Sequence, residues 1–270
     1  MQRLLQEDPT LELERVEETH QSIITGIGDV QLDLCVERLK RMGVDVELYA
    51  RKIPYRETLK GKVSEEYRHK KQAGGRGQFG QVAIEISGLP SGSGFVFEDN
   101  IVGGVVSKNY IPAVEKGVRK AMESGILAGN PVVDVKVRLY DGKMHEVDSS
   151  DMAFQIAGMQ AFKNGAPKAK PVILEPIVNV EVTVPDSYMG DVIGDLNSKR
   201  GRISGMDPIG NGLQCIKAQV PLAEMQRYAI DLRSITQGRG SFIMEFDHYE
   251  ETPPMVAEQV IAEAKAAAEK

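Results

Sequence analysis

Between Tyr67 and Gly80 the chain carries Arg68, His69, Lys70, Lys71 and Arg76, four glycines and no acid. Lysine and arginine displace the counterions condensed on a nucleic-acid backbone, so the chemistry open to such a cluster is phosphate binding. Glycine lacks a Cβ, which lets a loop approach a partner at backbone distance. Gly74, Gly75, Arg76, Gly77 and Gln78 are therefore the first candidate RNA contacts. On this stretch alone, a solvated hairpin loop remains the alternative. A second polar run, Asp141-Gly142-Lys143-Met144-His145-Glu146-Val147-Asp148-Ser149-Ser150-Asp151, gathers a histidine, hydroxyls and carboxylates. An imidazole at a turn tip beside a lysine can hydrogen-bond to nucleotides or stack on them. A serine–histidine–aspartate triad is disfavoured, because its members usually meet from distant parts of a fold. A single histidine among scattered acids is also a poor metal-ligand set. Asp141, Gly142, His145, Ser149 and Ser150 join the candidate RNA contacts, with no catalytic and no metal-ligating residue assigned. The alternative is a polar strand-to-helix turn in which Asp148, Ser149 and Ser150 cap, with Asp148 and Asp151 spaced as a capping box.

Two further basic clusters sit near helix ends, where cations also suit the helix dipole. Lys199, Arg200 and Arg202 form one, and Arg233, Gln237 and Arg239 the other. Both are candidate RNA-backbone contacts. Gly75 to Val82 matches the glycine pattern of a kinase phosphate loop and of a dinucleotide fingerprint, but the pattern runs into an alternating strand. The dinucleotide motif needs a helix there, whose N-terminus holds the pyrophosphate. The kinase motif needs a downstream lysine, catalytic loop and magnesium-binding aspartate that the chain does not spell. No G-x-x-x-x-G-K-[ST] occurs either.

The chain has 270 residues, net charge -6 and 41% hydrophobic residues, which suits a globular protein of two or three modest domains. The acidity is concentrated at one end: residues 1–50 hold eleven acids and five bases, whereas residues 51–270 hold 28 of each. Basic patches further along are thus not swamped by a general acidic field. Cys35 and Cys215 make neither a disulfide framework nor a metal spacing. No apolar run approaches bilayer length, and the cytoplasm is the expected compartment.

Several elements must position these groups. Residues 1–51 read as helix, strand, strand, helix, strand, with Leu32, Cys35, Val36 and Leu39 on one helical stripe, Gly43 as terminator, and Val44, Val46 and Leu48 alternating as a strand. In the middle segment, strands over Lys62–His69 and Val82–Ile86 flank the basic loop, and a third is expected at Phe95–Glu98. A helix over Lys108–Ser124 follows, then a strand through Val133–Leu139 ending at an Asp141-Gly142 turn, then a helix through Phe162. Residues 172–250 read as β-α-β-β-α-β, the split βαβ plan, opening on Val178, Val180, Val182 and Val184. The first segment repeats part of that plan without its opening strand, so the chain is expected to start inside a domain of a longer protein. A last helix is expected from about Pro254. The fold class is α+β, with three α/β-sandwich domains. These are a truncated ferredoxin-like domain (1–52), a middle domain with a βαβ crossover (53–170), which the family resemblance below implies to be an elongated arm, and a complete ferredoxin-like domain (171–252), followed by a C-terminal helix (253–270).

Five motifs in order carry a resemblance: Gly74-Gly75-Arg76-Gly77-Gln78-Phe79-Gly80, Tyr110-Ile111-Pro112-Ala113-Val114, His145-Glu146-Val147-Asp148-Ser149-Ser150, Gly190-Asp191-Val192-Ile193-Gly194-Asp195-Leu196 and Leu232-Arg233-Ser234-Ile235-Thr236-Gln237-Gly238-Arg239. The chain resembles the C-terminal half of the bacterial elongation factor G family, over essentially its whole length. The resemblance implies the third, fourth and fifth domains of a ribosome-dependent GTPase, with GTP and magnesium held by a domain before Met1 and no cofactor in this chain. It implies an arm whose tip, at Gly74–Gln78 and at His145, reaches transfer RNA and messenger RNA in the decoding site. It further implies large-subunit RNA contacts near the sarcin–ricin loop and stalk base, partners on both subunits, and a monomer that does not bind membranes. The third domain would relay the GTPase state, with bodies moving about linkers near Lys52–Pro54 and Lys168–Pro171. Gln31 stands where the family commonly has histidine and cannot change protonation, which leaves open a paralogue serving ribosome recycling or protection. An enzyme centred on His145 is the reading from a different class.

Overall fold

The structure, a computed structural model, describes residues 2–16, 21–26, 28–72 and 77–268. It divides into two compact units, Met1–Pro54 with Glu175–His248, and Tyr55–Leu174 with Tyr249–Lys270.

The first unit opens with α1 (Gln2–Glu7), β1 (Glu12–Val16), β2 (Gln21–Thr25) and α2 (Asp29–Arg41). The strands pair antiparallel, and Cys35 and Leu39 of the expected stripe are buried with Leu4 and Leu11. Gly43, at φ +81°, stops α2 while Val44 N–H bonds back to Leu39 O, a glycine-terminated helix end. The strand expected at Val44, Val46 and Leu48 does not form. Val46 packs on the small core while Val44 and Leu48 stay about half exposed, so the alternation does sort the side chains. A strand also needs a neighbouring backbone, and the two-stranded β1–β2 sheet lends none.

The second unit contains β3 (Arg56–Leu59), β4 (Lys62–Lys71), β5 (Gln78–Gly88), β6 (Phe95–Asp99), α3 (Ile111–Glu123), β7 (Val135–Lys143) and α4 (Asp151–Gly165). Its four-stranded sheet runs β4-β5-β7-β6, and only the β6–β7 pair is parallel, which makes β6–α3–β7 the expected crossover. One sheet face meets the helices: Val82, Ile84 and Ile86 from β5 and Val135, Val137 and Leu139 from β7 bury against Val114, Val118, Phe154 and Phe162. Two expectations fail here. The Asp141-Gly142 pair is not a turn, because β7 continues through it, Gly142 opposite Val82 and Lys143 opposite Gln81. A Cβ on Gly142 would lie 2.5 Å from Gln81 O and 2.6 Å from a Val106 methyl, so glycine serves close packing here. The helix cap is Ser150, which accepts from Ala153 N–H at 3.3 Å, and not Asp148.

The remaining elements are β8 (Pro171–Pro185), α5 (Met189–Ser198), β9 (Arg202–Gly210), β10 (Leu213–Pro221), α6 (Tyr228–Thr236), β11 (Ser241–Glu251) and α7 (Pro254–Ala268). Strand order β11-β8-β10-β9, with α5 and α6 packed on the buried valines of β8, is the split βαβ plan read from the sequence. Residues 168–171, where a linker was expected, are tied to the second unit. The Ala169 and Lys170 carbonyls accept from Gly61 and Lys60, Lys168 pairs with Glu65 at 2.6 Å, and Pro171 already opens β8 opposite Leu59.

Candidate nucleic-acid interface

β4 and β5 form a hairpin whose last pair is Lys71 with Gln78. Of the loop it carries, Gly74, Gly75 and Arg76 lie outside the described residues; Gly77 and Gln78 lie within them. Much of the basic stretch is strand rather than loop. Period-two alternation turns Arg68 and Lys70 to solvent and half-buries Tyr67 and His69, with His69 Nε2 3.1 Å from Gln78 Oε1.

The second candidate loop is clasped to the first. Asp148 Oδ1 accepts from Gly77 N–H at 3.1 Å, and Asp148 O accepts from Phe79 N–H at 2.9 Å. The Ser149 hydroxyl donates to Phe79 O at 3.0 Å and accepts from His145 N–H at 2.8 Å. The approach is close enough to require glycine: a Cβ on Gly77 would sit 2.9 Å from Asp148 Cγ. Residues about 70 positions apart thus meet at one end of the sheet. His145 stays largely exposed, its Nδ1 3.4 Å from both the Asp148 N–H and the Asp148 carboxylate. Neutral imidazole accepts from the first; imidazolium donates to the second. With its hydroxyl committed to Phe79 O, Ser149 is not held by the imidazole as a nucleophile would be by its base. Ser149 is buried and Ser150 caps α4, so both act through the fold of the turn. Asp141 bonds the N–H of Gly142, which is buried. The structure therefore brings together Gly77, Gln78, His145 and Ser149, and keeps Asp141 and Gly142 inside β7.

Asp148 and Phe79 were not among the residues the sequence singled out as contacts. Phe79 lies beneath Arg68, whose Cζ is 5.2 Å from the ring centroid, and 6.2 Å from the His145 ring. A usable signal existed: the large apolar residues of β5 otherwise fall at the even positions Val82, Ile84 and Ile86, and Phe79 does not.

The other basic clusters are mostly tied internally. Arg200 makes a two-pronged bond to the buried Glu175 at 2.7 and 2.9 Å and another to Glu224 at 3.0 Å. Those bonds, Glu175 foremost, hold its guanidinium protonated beyond its ordinary range. Lys199 reaches Asp231 at 2.7 Å, and Arg239 lies over Tyr188 at 4.8 Å and bonds its hydroxyl. Arg202 and Arg233 also have partners, and Gln237 occupies the left-handed cap of α6. In the first segment, Gln31 donates to Asp8 at 2.7 Å and to Thr10 at 2.6 Å. The bond from Thr10, then that from Gln31, keeps the Asp8 carboxyl below the usual carboxylate range. Among the described residues no group of three or more His, Cys, Asp or Glu could hold a metal, and no helix is long and apolar enough to cross a membrane.

Comparison with known proteins agrees along the chain. Residues 1–50 match the model for Elongation Factor G, domain III, residues 51–170 that for Elongation factor G, domain IV, and residues 172–260 that for Elongation factor G C-terminus. Elongation factor G of Aquifex pyrophilus is 55% identical over 263 residues, covering 97% of this chain and 38% of its own length. Elongation factor G-like protein of Thermotoga maritima is 52% identical over 266 residues, covering 98% of this chain and 39% of its own. A crystal structure from Thermus thermophilus superposes with TM-score 0.88 at 43% identity, over 98% of this chain and 40% of that one. The chain thus spans about two fifths of the length of the curated relatives it matches. With three regional models matched in succession along it, the chain belongs to the elongation factor G family and carries that family's domain III, domain IV and C-terminal regions.

Proposed function

We propose that this chain is the ribosome-binding part of a translation elongation factor that promotes GTP-dependent movement of transfer RNA and messenger RNA, acting in the cytoplasm as a monomer. Residues 1–52, 53–170 and 171–252 would work as separate domains, followed by a helix over 253–270. The tip of the middle domain, Gly74–Gln78 with His145, would enter the decoding site. The C-terminal domain would meet large-subunit RNA near the sarcin–ricin loop and stalk base. Of its candidate contacts, Arg202, Arg233, Gln237 and Arg239 are exposed enough for that role, while Lys199 and Arg200 shape the surface from behind. The observation that carries the reading is the clasp of Asp148 and Ser149 on Gly77 and Phe79, which sets the exposed His145 beside the end of the β4–β5 hairpin.

GTP and magnesium belong to a part of the factor other than this chain. The residues here do not suit them, since the glycines of 75–80 lead into β5 and not onto a helix N-terminus. A role in ribosome recycling or protection is the second reading, favoured by Gln31, whose amide is bonded to Asp8 and Thr10 and cannot titrate.

In a full-length factor carrying this chain, His145→Ala is expected to slow translocation about tenfold or more, a rise of about 1.4 kcal/mol in the barrier, while ribosome-stimulated GTP hydrolysis stays within about twofold. Unchanged translocation in that variant overturns the tip reading. A factor that splits ribosomal subunits but barely moves transfer RNA selects the recycling reading. Turnover of a small molecule that disappears with His145 would favour an enzyme instead.

A further inference from the structure

Between α5 and α6 lies a cluster of ionisable groups that the RNA reading does not use. Lys199, which caps α5, donates to Asp231 of α6 at 2.7 Å and lies 3.9 Å from Asp195, one turn back. The inner Asp195 oxygen, Oδ2, is buried and, among the described residues, has no hydrogen-bonding partner. The same holds for the hydroxyl of Tyr228, a fully buried side chain fixed by an edge-on contact with Phe242, ring centroids 5.0 Å apart. Burial first, then the charges of Asp195 and Asp231, hold that hydroxyl protonated beyond its ordinary range, so Tyr228 stands within reach of both aspartates' fields. Buried polar groups are normally paired, and two unpaired ones side by side point to a state in which they serve each other.

The surroundings leave Asp195 short of counter-charge. Among the described residues, Lys199 is the one cation that offsets it, and Lys199 is shared with Asp231 and with the field of Glu224, just before α6. Asp191, a turn earlier on α5, is exposed. At the far end of α5, Asp186 and Tyr188 are taken by Gln214 and Arg239. β9 and β10 turn Ile203, Ile216, Ala218 and Val220 into the core beneath the helix.

We propose that Asp195 and Tyr228 form a proton switch between α5 and α6. With a proton taken from solvent onto Oδ2, Asp195 donates to the Tyr228 hydroxyl and the helix pair tightens; when the proton returns to solvent, the bond is lost. A carboxyl both donates and accepts, whereas a carboxylate only accepts, so one proton changes what the pair can do. Burial foremost, with Asp231 adding and Lys199 opposing, holds the Asp195 carboxyl above the usual aspartate range. The folded chain therefore binds this proton more tightly than the unfolded chain does. Stability from this site is gained as pH falls through the raised value, the reverse of an ion-paired carboxylate, which loses stability on acidification. The switch belongs to this helix pair and does not depend on the ribosomal reading.

Carbon-13 NMR of the full 270-residue chain, with aspartate carboxyls labelled, follows Asp195 through an acid titration, its signal identified by loss in Asp195→Asn. The midpoint is expected above the ordinary aspartate value of about 3.9; a midpoint at or below it overturns the proposal. Tyr228→Phe removes the acceptor and should lower the midpoint, whereas an unchanged or higher midpoint sinks the pairing. Asp195→Asn keeps the shape and removes the titration. By calorimetry its first-unit transition should lie about 3 °C or more above that of the unsubstituted chain at neutral pH, and the gap should close as the pH is lowered toward the aspartate range. Altered packing alone would give a gap of constant size, and that result, or a lower transition at every pH, overturns the switch.

Discussion

Glu57 shows how much one side chain can organise. It is fully buried, and its two carboxylate oxygens accept four backbone N–H groups, from Ile126 and Leu127 at 2.6 and 2.8 Å and from Ala128 and Asn130 at 2.9 and 3.1 Å. The loop after α3 is thereby wound around an anion supplied by β3. In Glu57→Gln an amide nitrogen must face donors where an oxygen accepted them. Loss of stability of about 2–4 kcal/mol is expected, the scale of charge-assisted bonds broken in a buried site. Urea unfolding of the second unit measures it. Nothing local in the sequence flags Glu57, because its partners lie about 70 residues away. The same holds for Asp148, spaced like a capping residue but bonded to Gly77. By contrast the exposure of His145 was legible, because an imidazole among turn-forming residues has few apolar neighbours to hide against.

Among the elements, α3 and α4 cross where both present glycine. A Cβ on Gly117 would meet Gln155 O at 2.1 Å, and one on Gly158 would meet Val114 O at 2.7 Å. Backbone carbonyls of a packed helix cannot yield cheaply, so Gly117→Ala is expected to cost about 2–3 kcal/mol despite the better helix propensity of alanine. A fall in the melting temperature of the second unit, with far-ultraviolet helix content retained below it, is the corresponding observation. Strands with strict alternation were legible: Val178, Val180, Val182 and Val184 are all buried as the pattern requires. Alternation at Val44, Val46 and Leu48 gave the inward residue but no strand, since pairing depends on a neighbour the pattern does not encode. Asp141-Gly142 misled in the opposite sense. A turn-favouring pair became strand because the β5 ladder and the Val106 methyl fill the space around it.

Across the molecule, each unit has its own apolar core, one built on β5, β7, α3 and α4, the other on β8, β10, α5 and α6. Separate cores predict separable unfolding. Arg200 supplies the test, since its partners Glu175 and Glu224 lie in its own unit. Arg200→Ala leaves the buried Glu175 carboxylate without its counter-charge and should cost about 3–5 kcal/mol. Calorimetry should show the transition of the first unit falling while that of the second stays in place. A single transition moving as a whole would contradict this. The ion pairs also show that Lys199 and Arg200, read as candidate RNA contacts, are paired with carboxylates of their own unit. Charge composition is visible in a sequence, but whether a guanidinium faces solvent or a buried carboxylate is set by tertiary contacts.

By itself the sequence determined the α+β class, the periodic strands and helices, the basic glycine-rich stretch and the order of motifs that marks the family. These are local or ordered features, written in side-chain periodicity and spacing. Only the tertiary structure decided that the Gly77 and His145 loops meet, that Phe79 and Lys70 share an open sheet face, and that Glu57 and Arg200 are spent inside the fold. Those outcomes depend on hydrogen bonds and packing between residues tens of positions apart, whose energies no local pattern contains.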